Sequence, residues 1–173
     1  MYGLLLLIPF LLIRFGLLSY LNKSAVQRAA HFAPMYGNEK IPYWIYQISN
    51  VGIVIYVLFA TVKMEYSWLF VLGLICYLLG LLLCAISIVN FSSPSDVGMN
   101  TNGIYRFSRN PMYVSYFVCF MGMAALTQSL ILLGIVVVFQ ISAHWIILSE
   151  ERWCLETFGL PYAQYMKKVR RYL

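Results

Sequence analysis

The chain has 173 residues, of which 62% are hydrophobic and 10% charged, and it carries a net charge of +6. A soluble domain carries roughly 25% charged residues; here the apolar residues are gathered into runs about as long as a bilayer core is thick, which excludes a soluble globular domain and implies a polytopic membrane protein. The positive charge then bears on orientation in a membrane, since no basic stripe with interleaved aromatics points to nucleic acid.

The first apolar run, residues 2–21, reads as a retained span and not as a signal peptide, having no basic leader and no small-residue cleavage site. Arg14 falls inside it, which is costly unless the side chain snorkels or pairs; it either faces a polar cavity or reaches an interface. Residues 22–41 form a polar loop with Lys23, Arg28, His31 and Lys40. Residues 24–31 suit a short surface helix, with His31 solvated, while Pro34, Gly37 and Pro42 break anything longer. Span two is expected over 43–62, with a tight turn at Lys63, Met64 and Glu65, and span three over 68–91. Gly73 and Gly80 share a face of span three, as do Cys76 and Cys84, which predicts a close helix contact. The third connection, residues 92–109, holds the turn formers Ser-Ser-Pro-Ser-Asp and Asn-Thr-Asn-Gly.

Asn110-Pro111 reads as a helix start, with Asn able to cap and Pro suited to the first helical position. Arg106 and Arg109 just before it make either a site for an anionic group, where free helix N–H groups also point, or a basic loop that meets anionic lipid headgroups. Span four, residues 111–126, covers only about 24 Å against a core of about 30 Å. It pairs as a hairpin with span five, 129–148, across the uncharged Thr127-Gln128 turn. Gly159 and Pro161 stop the helix that follows. Residues 162–172 place Tyr162, Tyr165, Met166, Val169 and Tyr172 opposite Gln164, Lys167, Lys168 and Arg171, the pattern of an amphipathic helix lying on the membrane surface. The fold class is therefore all-α, with about five transmembrane helices and a C-terminal interfacial helix in one integral membrane domain. With five spans, one side receives Lys23, Arg28, Lys40, Arg106, Arg109, Arg152 and the basic tail, and the other receives Lys63 alone. The positive-inside rule then puts the tail in the cytoplasm and the N-terminus outside. Trp44, Trp68 and Trp145 fall near span ends, as an aromatic belt would have them.

On that topology Arg106 and Arg109 share a face with Glu150 and Glu151. Two carboxylates at the C-terminal end of a span oppose the helix dipole and need a cation, which an arginine or a ligand's ammonium would supply; a structural ion pair at the interface is the competing reading. His144, about two turns before Glu150, reads first as a packing residue. Cys76, Cys84, Cys119 and Cys154 lack metal-ligand spacing and read as small hydrophobes, so no metal site is expected. There is no Gly-rich phosphate loop and no nucleophile elbow.

The run Gly103-Ile104-Tyr105-Arg106-Phe107-Ser108-Arg109-Asn110-Pro111-Met112-Tyr113, a short apolar hairpin, Glu150-Glu151, Phe158-Gly159, Tyr162, Tyr165 and the basic Val169-Arg170-Arg171 follow in order. Together they resemble the isoprenylcysteine carboxyl methyltransferase family, which itself resembles the membrane phospholipid methyltransferases. The resemblance covers about residues 103–172; the spans before it match in hydropathy alone. One departure concerns the substrate: Asn110 stands where the isoprenylcysteine enzymes carry histidine. The resemblance implies methyl transfer from S-adenosylmethionine to a lipid or lipidated acceptor drawn from the bilayer, with S-adenosylhomocysteine as product. It assigns Tyr105, Arg109 and Tyr113, with the backbone of Gly103 and Ile104, to cofactor binding. His144, Glu150 and Glu151 fit cofactor-facing positions as well. Arg109, Glu151 and Arg170 are the expected catalytic residues, Arg170 by approaching acceptor or cofactor. The expected acceptor is a lipid-attached carboxyl, which needs no general base; a phospholipid amine is the alternative, with Glu151 or His144 as base. A non-catalytic membrane protein that keeps the fold is a third reading.

Overall fold

The computed structural model describes residues 2–30, 32–65, 67–95 and 98–172, so His31 and Asp96 lie outside the described residues. Four helices are long and apolar enough to cross a membrane: α1 (Leu4–Leu21), α3 (Lys40–Phe59), α4 (Trp68–Ser92) and α6 (Leu130–Phe158). The short α2 (Lys23–Ala30) follows α1, and the shorter apolar α5 (Pro111–Thr127) lies between α4 and α6. The chain closes with α7 (Leu160–Lys168).

The outer faces of these helices are apolar. Val71, Ile75, Leu78 and Leu82 on α4 and Ile48, Val51 and Ile55 on α3 are all exposed, a surface that fits lipid and not water. Trp44 and Trp68 are exposed near opposite ends of the bundle, while Trp145 lies well within α6. The two ends are built differently. At one end the Gly3 amide donates to the Ala60 carbonyl (2.8 Å), the Lys63 amide donates to the Leu126 carbonyl (3.0 Å), and the Tyr56 and Ser129 hydroxyls share a hydrogen bond. At the other end Asn22 donates to the Ser92 carbonyl, Arg28 to the Phe91 carbonyl, and Arg152 pairs with Glu39 at 2.6 Å. The first and third connections and the tail thus meet at one end, and even the short α5 runs from one end to the other.

The tightest seam joins α4 to α5, as the Gly73 and Gly80 face predicts. A side chain at Gly80 would overlap the backbone of Cys119, and one at Gly122 would overlap the backbone of Tyr77, so each helix supplies a glycine where the other's backbone passes. At Gly73 a Cβ would stand 2.9 Å from the Ala125 Cβ. Cys84 and Cys119 are buried at this seam, and all four cysteines are free thiols. Gly80→Leu should cost about 3 kcal/mol or more, the upper end for overpacking, because backbone must move. Gly134→Ala, which meets nothing within 4 Å, is the matched control. Thermal denaturation of the detergent-purified protein reads both.

Several expectations need correction. Pro42 does not exclude a helix: it sits in the first turn of α3, where its missing N–H leaves no bond unmade. Span two therefore begins and ends about one turn earlier than expected, and residues 60–65 form a partly extended link in place of a tight turn at Lys63. The α6 helix continues well past Leu148 to Phe158, spanning about 43 Å at 1.5 Å per residue. Nothing in Ser149–Phe158 breaks it; the stop is Gly159, at φ +59°. Glu150 and Glu151 are therefore more than a turn inside a helix, away from the terminal carbonyls whose dipole they were expected to oppose. The last helix stops at Lys168, so Val169, Arg171 and Tyr172 belong to a non-helical tail, not to an amphipathic helix. That segment pairs with the third connection through an Arg109 amide to Arg170 carbonyl bond of 2.9 Å. Within α1, residues Leu12–Leu17 form a π-helical turn, which hydropathy did not signal; Arg14 lies in it.

Candidate active site

The tail end of the bundle encloses a cavity of about 830 Å³, within the range of roughly 300–1,000 Å³ typical of small-molecule sites. Six tyrosines, among them Tyr46, Tyr105, Tyr113 and Tyr116, line it together with Arg14, Arg28, Arg109, Glu150 and Glu151.

The charged centre is a triad. The Arg109 Nη2 lies 3.0 Å from Glu151 Oε1, with both side chains almost fully buried. Arg171 approaches the same carboxylate with Nε at 3.1 Å and Nη2 at 2.9 Å. One acid thus answers two guanidinium groups, leaving the cluster net positive. On Arg109, Nε and Nη1 are buried without a partner among the described residues. Buried N–H groups are rarely left unpaired, so these two have the capacity to donate to an acceptor such as an anionic oxygen group.

Local structure explains how Arg109 gets there. Asn90, near the end of α4, accepts a hydrogen bond from the Ile104 amide at 2.9 Å, and Gly103 at φ +53° leaves no room for a side chain against Asn90. This fixes the 3₁₀ turn Gly103–Arg106. The Tyr165 hydroxyl donates to the Tyr105 carbonyl at 2.6 Å. The Tyr105 ring is buried, and that burial pushes its phenol well above its ordinary range, so it stays neutral. Asn110 precedes Pro111 at the helix start, but its side chain does not cap; it donates to the Arg171 carbonyl at 3.1 Å and ties the tail down. Arg106 is exposed and takes no part in the cavity, so the two arginines of the motif separate.

Glu150 stands beside the triad, not in it. Its Oε1 accepts from the Tyr113 hydroxyl at 2.8 Å, and no cation pairs with it among the described residues. On the bilayer side, Arg14 places its guanidinium carbon 4.4 Å from the centre of the Tyr116 ring. It makes no ion pair among the described residues. A mid-span arginine costs roughly 2.5–3.5 kcal/mol on insertion scales, and a cation–π contact offsets about 0.5–2 kcal/mol of that.

Of the expected site residues, Tyr105, Arg109, Tyr113, Glu150 and Glu151 converge on this one cavity. Gly103 and Ile104 stand behind it, the Ile104 amide being used by Asn90. His144 does not line it: its Nδ1 shares a 2.7 Å hydrogen bond with the Tyr172 hydroxyl. Arg170 is exposed, and its neighbour Arg171 takes the inward place on Glu151. Sequence reasoning missed Arg171 by assigning it to the polar face of a helix. It also missed Asn90 and Tyr46, whose partners are remote in sequence.

A cavity lined by a buried arginine–glutamate pair, inside a bundle whose outer helix faces are apolar, defines an all-α membrane protein. The chain belongs to the phospholipid methyltransferase family, whose model matches residues 68–160, which makes it a membrane methyltransferase by family. No curated protein and no solved structure matches it.

Proposed function

We propose that this protein transfers a methyl group from S-adenosylmethionine to an amine carried by a membrane lipid. The observation that carries the reading is the pair of partnerless Arg109 N–H groups beside an uncompensated Glu150, both on a cavity that aromatic rings line. The donor set fits the methyl donor's amino-acid portion. Arg109 would hold its carboxylate through a charge-assisted contact, with Glu151 keeping the Arg109 guanidinium in place. The tyrosine faces suit a sulfonium cation. When bound, S-adenosylmethionine supplies a sulfonium methyl open to in-line attack.

The protein's own residues do the rest. A lipid ammonium has no lone pair to attack with until it loses a proton. Both oxygens of Glu151 are engaged by arginines, and His144 is bonded to Tyr172 and does not line the cavity, so Glu150 is the base: its carboxylate accepts the proton while Tyr113 fixes its orientation. Apolar walls hold acceptor and donor together with little water. By the positive-inside rule the cavity end, with Lys23, Arg28, Lys40 and the basic tail, faces the cytoplasm and the N-terminus lies outside.

A lipid-attached carboxyl remains the second reading, favoured by the surplus of cations around the cavity. It predicts a methyl ester, which mild base hydrolyses, whereas an N-methyl group survives. Incubating the protein with lipid extract and a labelled methyl donor, then treating with base, separates the two. The cofactor reading is tested by titrating S-adenosylhomocysteine into detergent-purified protein. Arg109→Ala, which leaves Glu151 its Arg171 partner, should weaken binding at least 30-fold without changing the melting temperature by more than a few degrees. Equal affinity in the variant and wild type would overturn it.

A further inference from the structure

Arg14 comes from α1, outside the region that the family match covers. It lines the same cavity as Glu150 and Tyr113, and its guanidinium rests against Tyr116 with no carboxylate partner among the described residues. The π turn that carries it is a departure from regular helix, of a kind that concentrates at functional sites. The Tyr116 ring packs against Tyr113, their centroids 6.4 Å apart, and Tyr113 in turn donates to Glu150. Arg14 is seven residues before the end of α1 at Leu21, so it sits roughly 10 Å into the bundle at 1.5 Å per residue. Arg109 instead stands at the loop end, beside the tail.

The two arginines are thus separated by depth: one meets what arrives from water, the other what arrives from the bilayer. A charge-assisted guanidinium contact prefers phosphate or carboxylate oxygens. A lipid amine headgroup carries its phosphodiester a few bonds from the nitrogen, on the glycerol side.

We propose that Arg14 binds the phosphodiester of the lipid acceptor, positions the headgroup amine toward Glu150, and restricts the reaction to acceptors that carry an anionic oxygen group. This rests on the reading of the cavity as a lipid methyltransferase site. Arg14 is a positioning and specificity residue; it takes no proton and no methyl.

The test uses the full chain in an uncharged maltoside detergent. Dioctanoyl phosphatidylethanolamine, dioctanoylglycerol and inorganic phosphate are titrated in turn, with binding read from intrinsic tryptophan fluorescence. Trp153 lines the cavity and reports on its occupancy. Wild type should bind the phospholipid at least tenfold more tightly than dioctanoylglycerol. Arg14→Gln should lose that preference while binding S-adenosylhomocysteine as wild type does, and Arg14→Lys should keep part of it. If Arg14→Gln retains the phospholipid preference, or loses S-adenosylhomocysteine binding together with it, the proposal is overturned, the second case marking a structural role. Inorganic phosphate binding as tightly as the phospholipid would overturn the lipid assignment in favour of a free anion. Failure of wild type to bind S-adenosylhomocysteine sinks the parent reading instead, and that result is independent of Arg14.

Discussion

Glu151→Ala is expected to destabilise the protein by about 3–5 kcal/mol, the range for removing one partner from a buried ion pair. The reason is the arithmetic of charge in the triad. Glu151 is the only acid that either Arg109 or Arg171 contacts among the described residues. Deleting it leaves two guanidinium groups close together, one of them buried, with nothing to balance them. Arg171→Ala should cost much less, because Arg171 is about a third exposed and Glu151 keeps Arg109. Thermal denaturation in detergent reads the ordering Glu151→Ala worse than Arg171→Ala. Limited proteolysis adds a local readout, because losing Glu151 releases Arg171 and with it the segment after Lys168. A melting temperature that Glu151→Ala leaves unchanged would mean that the triad does not form.

Glu150→Gln should behave in the opposite way. It removes a charge that has no cationic partner among the described residues, so stability should hold, and S-adenosylhomocysteine should bind as before. Turnover of an amine acceptor should fall by 10²–10⁴, the usual contribution of a general base. The loss should appear in kcat and not chiefly in KM. If the acceptor is a carboxyl, no proton needs to leave before attack, and Glu150→Gln should leave turnover within a few-fold. The variant therefore separates the two acceptor chemistries whichever lipid carries the acceptor.

Much of the fold was legible because hydropathy and helix stops are local properties. The Leu-rich run before Phe91, the start at Pro111 and the start of span five beside Ser129 all stand where their own residues put them. The glycine seam was legible because period 3.6 puts Gly73 and Gly80 on one face. What the sequence hid was decided across the chain. Ser149–Phe158 looks polar enough to leave the membrane, and it does continue past the apolar stretch, but as the same helix, since charged residues are good helix formers. Arg171 was placed on a helix face by a spacing that fits a helix. The tail's backbone bond to Arg109 won instead, and it reverses which of Arg170 and Arg171 points inward. Within the site, the acids and Arg109 were readable from their order along the chain. The asymmetry between Glu150 and Glu151 was not, because it depends on which carboxylate two distant arginines reach.

The residues that line the cavity gather at one end of the bundle, and at the other end short backbone contacts join Gly3 to Ala60 and Lys63 to Leu126. Under the proposed function, such a protein can draw from a single leaflet. Every molecule it alters remains in that monolayer until a separate agent carries it across, so its activity would build a difference in composition between the two faces of the membrane.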